Sequence, residues 1–89
     1  MVLREYTVGS EEKSDVRVTV RPGRGSLEIT VERLPHPRFY TKLTNLITQC
    51  MEAEQVSDAH VQIWDFGALD FVIRARLQTV LREVRKENA

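Results

Sequence analysis

Valines at positions 16, 18 and 20 alternate with Arg17, Thr19 and Arg21, the period of two shown by a strand with one face buried and the other in water. Leu27, Ile29 and Val31 repeat that alternation against Glu28, Thr30 and Glu32. Between the two runs lies Pro22-Gly23-Arg24-Gly25, where proline presets one turn dihedral and glycine tolerates angles closed to other residues. The pattern predicts a β-hairpin with Val20 opposite Leu27, Val18 opposite Ile29 and Val16 opposite Val31, which gathers the apolar side chains on one face.

Pro35 and Pro37 end the second run. Residues before proline are pushed out of helical geometry, so a helix is expected to begin near Pro37 itself. Phe39, Leu43, Leu46, Ile47 and Cys50 then fall on one helical stripe, which runs to about Ala53. Val56-Ser57-Asp58 interrupts it, after which Ala59, Val61 and Ile63 alternate with His60, Gln62 and Trp64 as a third strand. Asp65 stands where it could cap a last helix, whose apolar stripe is Leu69, Val72, Ile73, Leu77, Val80, Leu81 and Val84. The expected architecture is α+β: a single-layer, mainly antiparallel sheet, made of the hairpin and a third strand, packed against two helices in the order β-β-α-β-α. An extra N-terminal strand fits within Leu3 to Val8.

The length of 89 residues leaves room for one domain over 1–89, and a domain of this size buries only roughly 60 to 65% of its unfolded surface. Thirteen Lys and Arg balance 13 Asp and Glu, so no net field steers the chain toward nucleic acid or an anionic membrane. No apolar run reaches the ~18 to 20 residues that would span a bilayer. The lone cysteine, Cys50, has no partner for an internal disulfide, and no secretory signal pattern opens the chain; a cytoplasmic setting is expected.

Intrinsic catalysis is poorly provided for. His36 and His60 have no metal-spaced companions, and no glycine-rich loop joins a strand to a helix in the manner of a phosphate cradle. His36, between two prolines, reads as a solvated turn residue, and His60 as lying on an exposed strand face. Cys50 falls on an apolar stripe and reads as a small buried hydrophobe. Trp64 either covers a core edge or marks a docking surface. Arg74 and Arg76 stand about 200° apart around a helix, so at least one must lie beside the apolar stripe. It would pack its stem there and pair with an acid, such as Asp70 four residues before Arg74, or else dock a partner or phosphates.

Two stretches are more distinctive. One is Val61-Gln62-Ile63-Trp64-Asp65 followed by Gly67-Ala68-Leu69-Asp70-Phe71-Val72-Ile73-Arg74-Ala75-Arg76; the other is the polar loop Gly9-Ser10-Glu11-Glu12-Lys13-Ser14-Asp15-Val16. They resemble the acyl carrier (gamma) subunit family of citrate lyase, in which a strand and acidic turn precede Gly-Ala-Leu-(Asp/Glu), apolar residues and Arg-Ala-Arg. In that family a serine of the polar loop carries a phosphoribosyl-dephospho-coenzyme A arm through a phosphodiester. An ungapped match on Gly9, Glu12 and Asp15 places Lys13 at the attachment position and Ser14 at the next, where the family has Ser or Gly. Lysine cannot form the phosphodiester, so the resemblance points to Ser14 as the covalent attachment residue, with Ser10 matching a family threonine.

What the resemblance implies is a non-catalytic carrier subunit of a multi-subunit lyase. A prosthetic-group transferase would load it, and its arm would present acetyl and citryl thioesters to the alpha (transferase) and beta (lyase) subunits. The loop is expected to be more mobile than the strands. Three alternatives stay open. One is an unmodified homologue acting as a scaffold or regulatory subunit, to which Lys13 points. Another is a carrier of the malonate decarboxylase type. The third is a nucleic-acid binder using Arg17, Arg21 and Arg24, against which zero net charge speaks.

Overall fold

The computed structural model describes residues 2–88. Strand β1 (Tyr6–Gly9) is followed by β2 (Val16–Pro22) and β3 (Leu27–Arg33). A short 3-10 turn at Pro37–Phe39 leads into helix α1 (Tyr40–Ala53), then strand β4 (Ala59–Asp65) and helix α2 (Asp70–Asn88). The fold is α+β, with the elements in the order β-β-β-α-β-α and the N-terminal strand present. Pro37 opens the 3-10 turn, where its missing N–H costs nothing.

The four strands form one mixed sheet in the order β1-β2-β4-β3. Here the expected hairpin is corrected: β2 and β3 do not pair, because β4 lies between them. Val20 and Val18 stand opposite Val61 and Ile63 in an antiparallel ladder, while Ile29 and Val31 stand opposite the same two residues in a parallel one. The physical reason is the β3–α1–β4 crossover. A strand, a helix and a parallel return strand pack with the helix against one sheet face, which places β4 beside β3 and leaves β4's other edge to β2.

The segment from Pro22 to Leu27 therefore has to bridge the end of β4 rather than make a tight turn. The Gly25 N–H donates to Asp58 Oδ1 at 2.9 Å and the Ala59 N–H to the Ser26 carbonyl at 3.3 Å. Gly23 lies against this end of β4, and a Cβ there would run into Asp58 and the Ala59 backbone. Glycine at 23 is a matter of space, not of a reversed φ.

Both helices cover the same sheet face. Val16, Val18 and Val20 of β2 and Ala59, Val61 and Ile63 of β4 are fully buried there, under Leu43, Leu46, Ile47 and Met51 of α1 and Ile73, Leu77, Val80, Leu81 and Val84 of α2. Cys50 is a buried, free thiol whose proton affinity burial raises, against the opposing charge of Arg74. On edge strand β3, Ile29 and Val31 are only half-buried. Among the described residues no helix is long and apolar enough to cross a membrane.

Leu77, fully enclosed at the centre of α2, is the place to test this core. Leu77→Ala is expected to cost about 2 to 5 kcal/mol through lost contacts and the cavity left behind. Urea unfolding measures it, and a shift under ~0.5 kcal/mol would show that the α2 stripe does not carry the core.

Candidate functional site

The antiparallel and parallel ladders bring Gly9, Arg17, Trp64 and Arg33 into one row across the sheet. The polar loop before β2, the segment after β3 and the turn before α2 consequently gather at one end of the molecule. Gly9 takes φ +82°, and a Cβ there would strike the Val16 carbonyl, so the loop leaves β1 by a path only glycine allows.

Asp15 organises the loop. Its Oδ2 accepts from the Ser10 hydroxyl at 2.7 Å and from Arg76 Nη2 at 2.8 Å; its Oδ1 accepts from the Val16 N–H at 2.7 Å and from Arg76 Nε at 3.2 Å. Both carboxylate oxygens thus face the guanidinium fork of α2, the two-point geometry that arginine alone provides. The Ser10 hydroxyl bond and the Arg76 bonds hold the carboxyl down at about 2, against 3.8 ordinarily. The loop is accordingly tied at its C-terminal end. The Ser14 N–H donates to the Phe66 carbonyl at 2.8 Å, the Phe66 N–H to the Asp15 carbonyl at 3.0 Å, and the Asp15 N–H to the Glu12 carbonyl at 3.1 Å.

Ser14 is exposed and takes φ 68°. In this left-handed region glycine is unstrained, which accounts for a position where the resembling family alternates serine with glycine. Lys13 beside it is exposed too. Ser10 differs from Ser14, because its hydroxyl is engaged twice, donating to Asp15 and accepting from the Glu12 N–H at 3.3 Å.

Other expectations fare unevenly. The edge arginine of α2 is Arg76, not Arg74, and its acid is Asp15, 61 residues away. Asp70 pairs instead with Lys42 Nζ at 3.3 Å. Leu69 is 64% exposed and not part of the buried stripe. Asp65 caps no helix: its Oδ1 accepts from Gly67 and Ala68 N–H at 2.9 and 3.0 Å, closing the turn before α2, while the Leu69 carbonyl begins the helix by accepting from Val72 and Ile73.

His36 Nδ1 accepts from the Arg38 N–H at 3.1 Å, and His60 Nε2 lies 2.7 Å from the Thr30 hydroxyl on the open sheet face. Among the described residues no three His, Cys, Asp or Glu side chains stand close enough to hold a metal ion.

Two features leave no mark in the local sequence pattern. Arg17 lies over the Trp64 ring at 4.6 Å and Arg33 over the Phe66 ring at 4.4 Å, contacts that need the β2-β4-β3 order before any residue spacing reveals them. An apolar groove of about 480 Å³ also opens at this end, lined by Phe39, Leu43, Leu46, Ala68, Leu69 and Ile73.

The Asp15 pairing has a pH signature. Because the folded carboxyl sits below its ordinary value, its contribution is fully present above about pH 4 and is lost as pH falls through about 2. Arg76 is 42% exposed, and solvent screening limits the contribution to about 1 to 2 kcal/mol. Asp15→Asn is expected to lose that much at pH 7 and to flatten the stability curve below about pH 4. Urea midpoints measured across this range decide it, and equal slopes for both proteins would refute the coupling.

Residues 4–84 match the family model described as malonate decarboxylase delta subunit (MdcD). The citrate lyase acyl carrier protein of Enterobacter sp. (strain 638) is 33% identical over 86 residues, spanning 97% of this chain and 89% of that protein. That of Cronobacter sakazakii is 35% identical over 80 residues (90% and 82%), and that of Vibrio cholerae serotype O1 (strain ATCC 39541) is 38% identical over 74 (82% and 76%). A chain in the crystal structure of a Pseudomonas malonate decarboxylase hetero-tetramer in complex with malonate shares the fold, with a TM-score of 0.71 at 21% identity over 91% of this chain and 84% of that one. A match over nearly the whole chain, on a fold that presents the polar loop against the Arg76 helix, makes this protein a member of the citrate lyase acyl carrier protein family.

Proposed function

We propose that the protein is the acyl carrier subunit of a citrate lyase-type complex and that Ser14 holds its prosthetic group, a phosphoribosyl-dephospho-coenzyme A arm linked through a phosphodiester. The observation that carries the site is the contrast between the two loop serines: the Ser10 hydroxyl is held by Asp15, whereas Ser14 is exposed at the loop tip. A carrier serine needs only an accessible hydroxyl, since the loading enzyme supplies the activation. Such an arm supplies a terminal thiol on which the acyl group travels as a thioester.

The chain's own contribution is placement. Gly9 turns the loop out of the sheet, the Ser14 N–H fixes the tip against Phe66, and Arg76 neutralises the Asp15 carboxylate that would otherwise stand uncompensated beside a phosphodiester. The partners this reading implies are a prosthetic-group transferase and the alpha (transferase) and beta (lyase) subunits, in the cytoplasm, and the carrier itself makes and breaks no acyl bond. A second reading, an unmodified scaffold or regulatory subunit, is favoured by Lys13 at the family's attachment position.

Co-expression with the prosthetic-group transferase of a citrate lyase system, followed by intact-mass measurement, separates the two. One added arm is expected on the unsubstituted chain and on Ser10→Ala, and none on Ser14→Ala. An unsubstituted chain without added mass would overturn the carrier reading in favour of the scaffold. Addition lost in Ser10→Ala but kept in Ser14→Ala would move the site to Ser10.

A further inference from the structure

Helices cover only one face of the sheet. On the other, Trp64 stands between the buried Ile63 and Asp65 and so faces away from the helices, and Phe66 follows in the bend after β4, bonded through its carbonyl to Ser14. Each ring carries an arginine: Arg17 over Trp64, and Arg33 over Phe66. The four residues come from three strands and the turn that follows β4. Phe66 accepts the Ser14 N–H bond through its carbonyl, and Arg17 and Arg33 both stand opposite Trp64 in the two ladders. An arginine-and-aromatic shelf therefore begins at the residue in direct backbone contact with Ser14.

We infer that this shelf binds the nucleotide portion of the arm carried by Ser14, an inference that rests on the carrier reading above. The chemistry matches group by group. A guanidinium stacked on a ring keeps its N–H edge free for phosphate oxygens, and its plane and the ring offer stacking surfaces for a base. The phosphoribosyl link puts the adenine nucleotide and its phosphates, not the thiol, at the attached end of the arm, so these groups lie nearest the shelf. Neither arginine is locked away. Arg33 is exposed, and Arg17 has only an open pair with Glu11, 3.4 Å apart with side chains 38% and 60% exposed, the kind of contact a phosphate readily replaces.

Such exposed cation-ring contacts also arise singly on protein surfaces for stability alone. What sets this pair apart is that both rings sit two residues apart where β4 runs into the turn bonded to Ser14, the proposed attachment residue. Anchored there, the base of the arm would stay with the carrier while its thiol end reaches outward.

Trp64 is the chain's one tryptophan, so its emission reports on this shelf directly, independent of any activity. Modified and unmodified protein, each verified by intact mass, are compared for the unsubstituted chain, Arg17→Gln and Arg33→Gln. Loss of Trp64 emission on modification, relieved in both variants relative to their own unmodified forms, is the expected result. Circular dichroism confirms that these surface variants fold. Equal emission with and without a verified arm overturns the shelf and leaves the carrier reading standing; so does a loss that neither substitution relieves, which would mean that the arm meets Trp64 without the arginines. A chain that acquires no arm overturns the carrier reading and this inference with it.

Discussion

The parallel pairing of β3 with β4 is the constraint on which the rest of the molecule depends. Strand β4 returns parallel to β3 through α1 and pairs directly beside it, with the helix on one face. That placement puts β4 in the interior of the sheet, where Ala59, Val61 and Ile63 are fully buried, and moves β2 one strand further out. It also decides which loops meet. The end of β3, the end of β4 and the start of β2 all fall on the same side, so the polar loop, the turn before α2 and the groove by α1 share one end. With β4 between β2 and β3, Trp64 stands opposite both Arg17 and Arg33.

One ion pair joins that end to the helical layer. Asp15 lies at the foot of β2 and Arg76 nearly two turns into α2; their two-point contact is the long-range polar tie between the loop and the Arg-Ala-Arg stretch. The division of labour between the arginines follows from helix geometry, because residues two apart face nearly opposite sides. Arg76 turns toward β2, and Arg74 lies near Cys50 of α1. The bonds that hold Asp15 ionised also keep its charge compensated, a condition for placing any further anion nearby.

Much of this was legible in the residues. The alternation of Val16 to Val20 and of Ala59 to Ile63, and the stripe from Ile73 to Val84, specify which apolar side chains face the helices; they do not show that Thr19 on the opposite face is buried too, its hydroxyl 2.9 Å from that of Thr7. Strand order is not specified in this way. Exchanging a neighbouring strand leaves the inward and outward faces unchanged, so the alternation of Leu27 to Val31 suits pairing with β2 or β4 equally well. Leu69 shows a second limit: its spacing fits the stripe, but it stands before the first turn of α2, where the chain is still approaching the helix. Contacts such as Asp15 with Arg76 or Arg33 with Phe66 join distant segments, and local periodicity holds no record of them.

If the chain is the proposed carrier, one group has to reach more than one catalytic site, and mobility can reside in the protein loop or in the attached arm. Here the tip of the loop is fixed, by the Ser14 N–H bond to Phe66 and by the Asp15 network just behind it. A left-handed residue whose amide is bonded across to the turn before α2 has little freedom to swing, since moving it breaks that bond and disturbs the Arg76 contact as well. On the proposed carrier reading, travel therefore falls to the arm. The protein's part on that reading is to hold the Ser14 backbone against Phe66, next to the Asp15 network, the open end of the groove and the arginine-bearing face of the sheet.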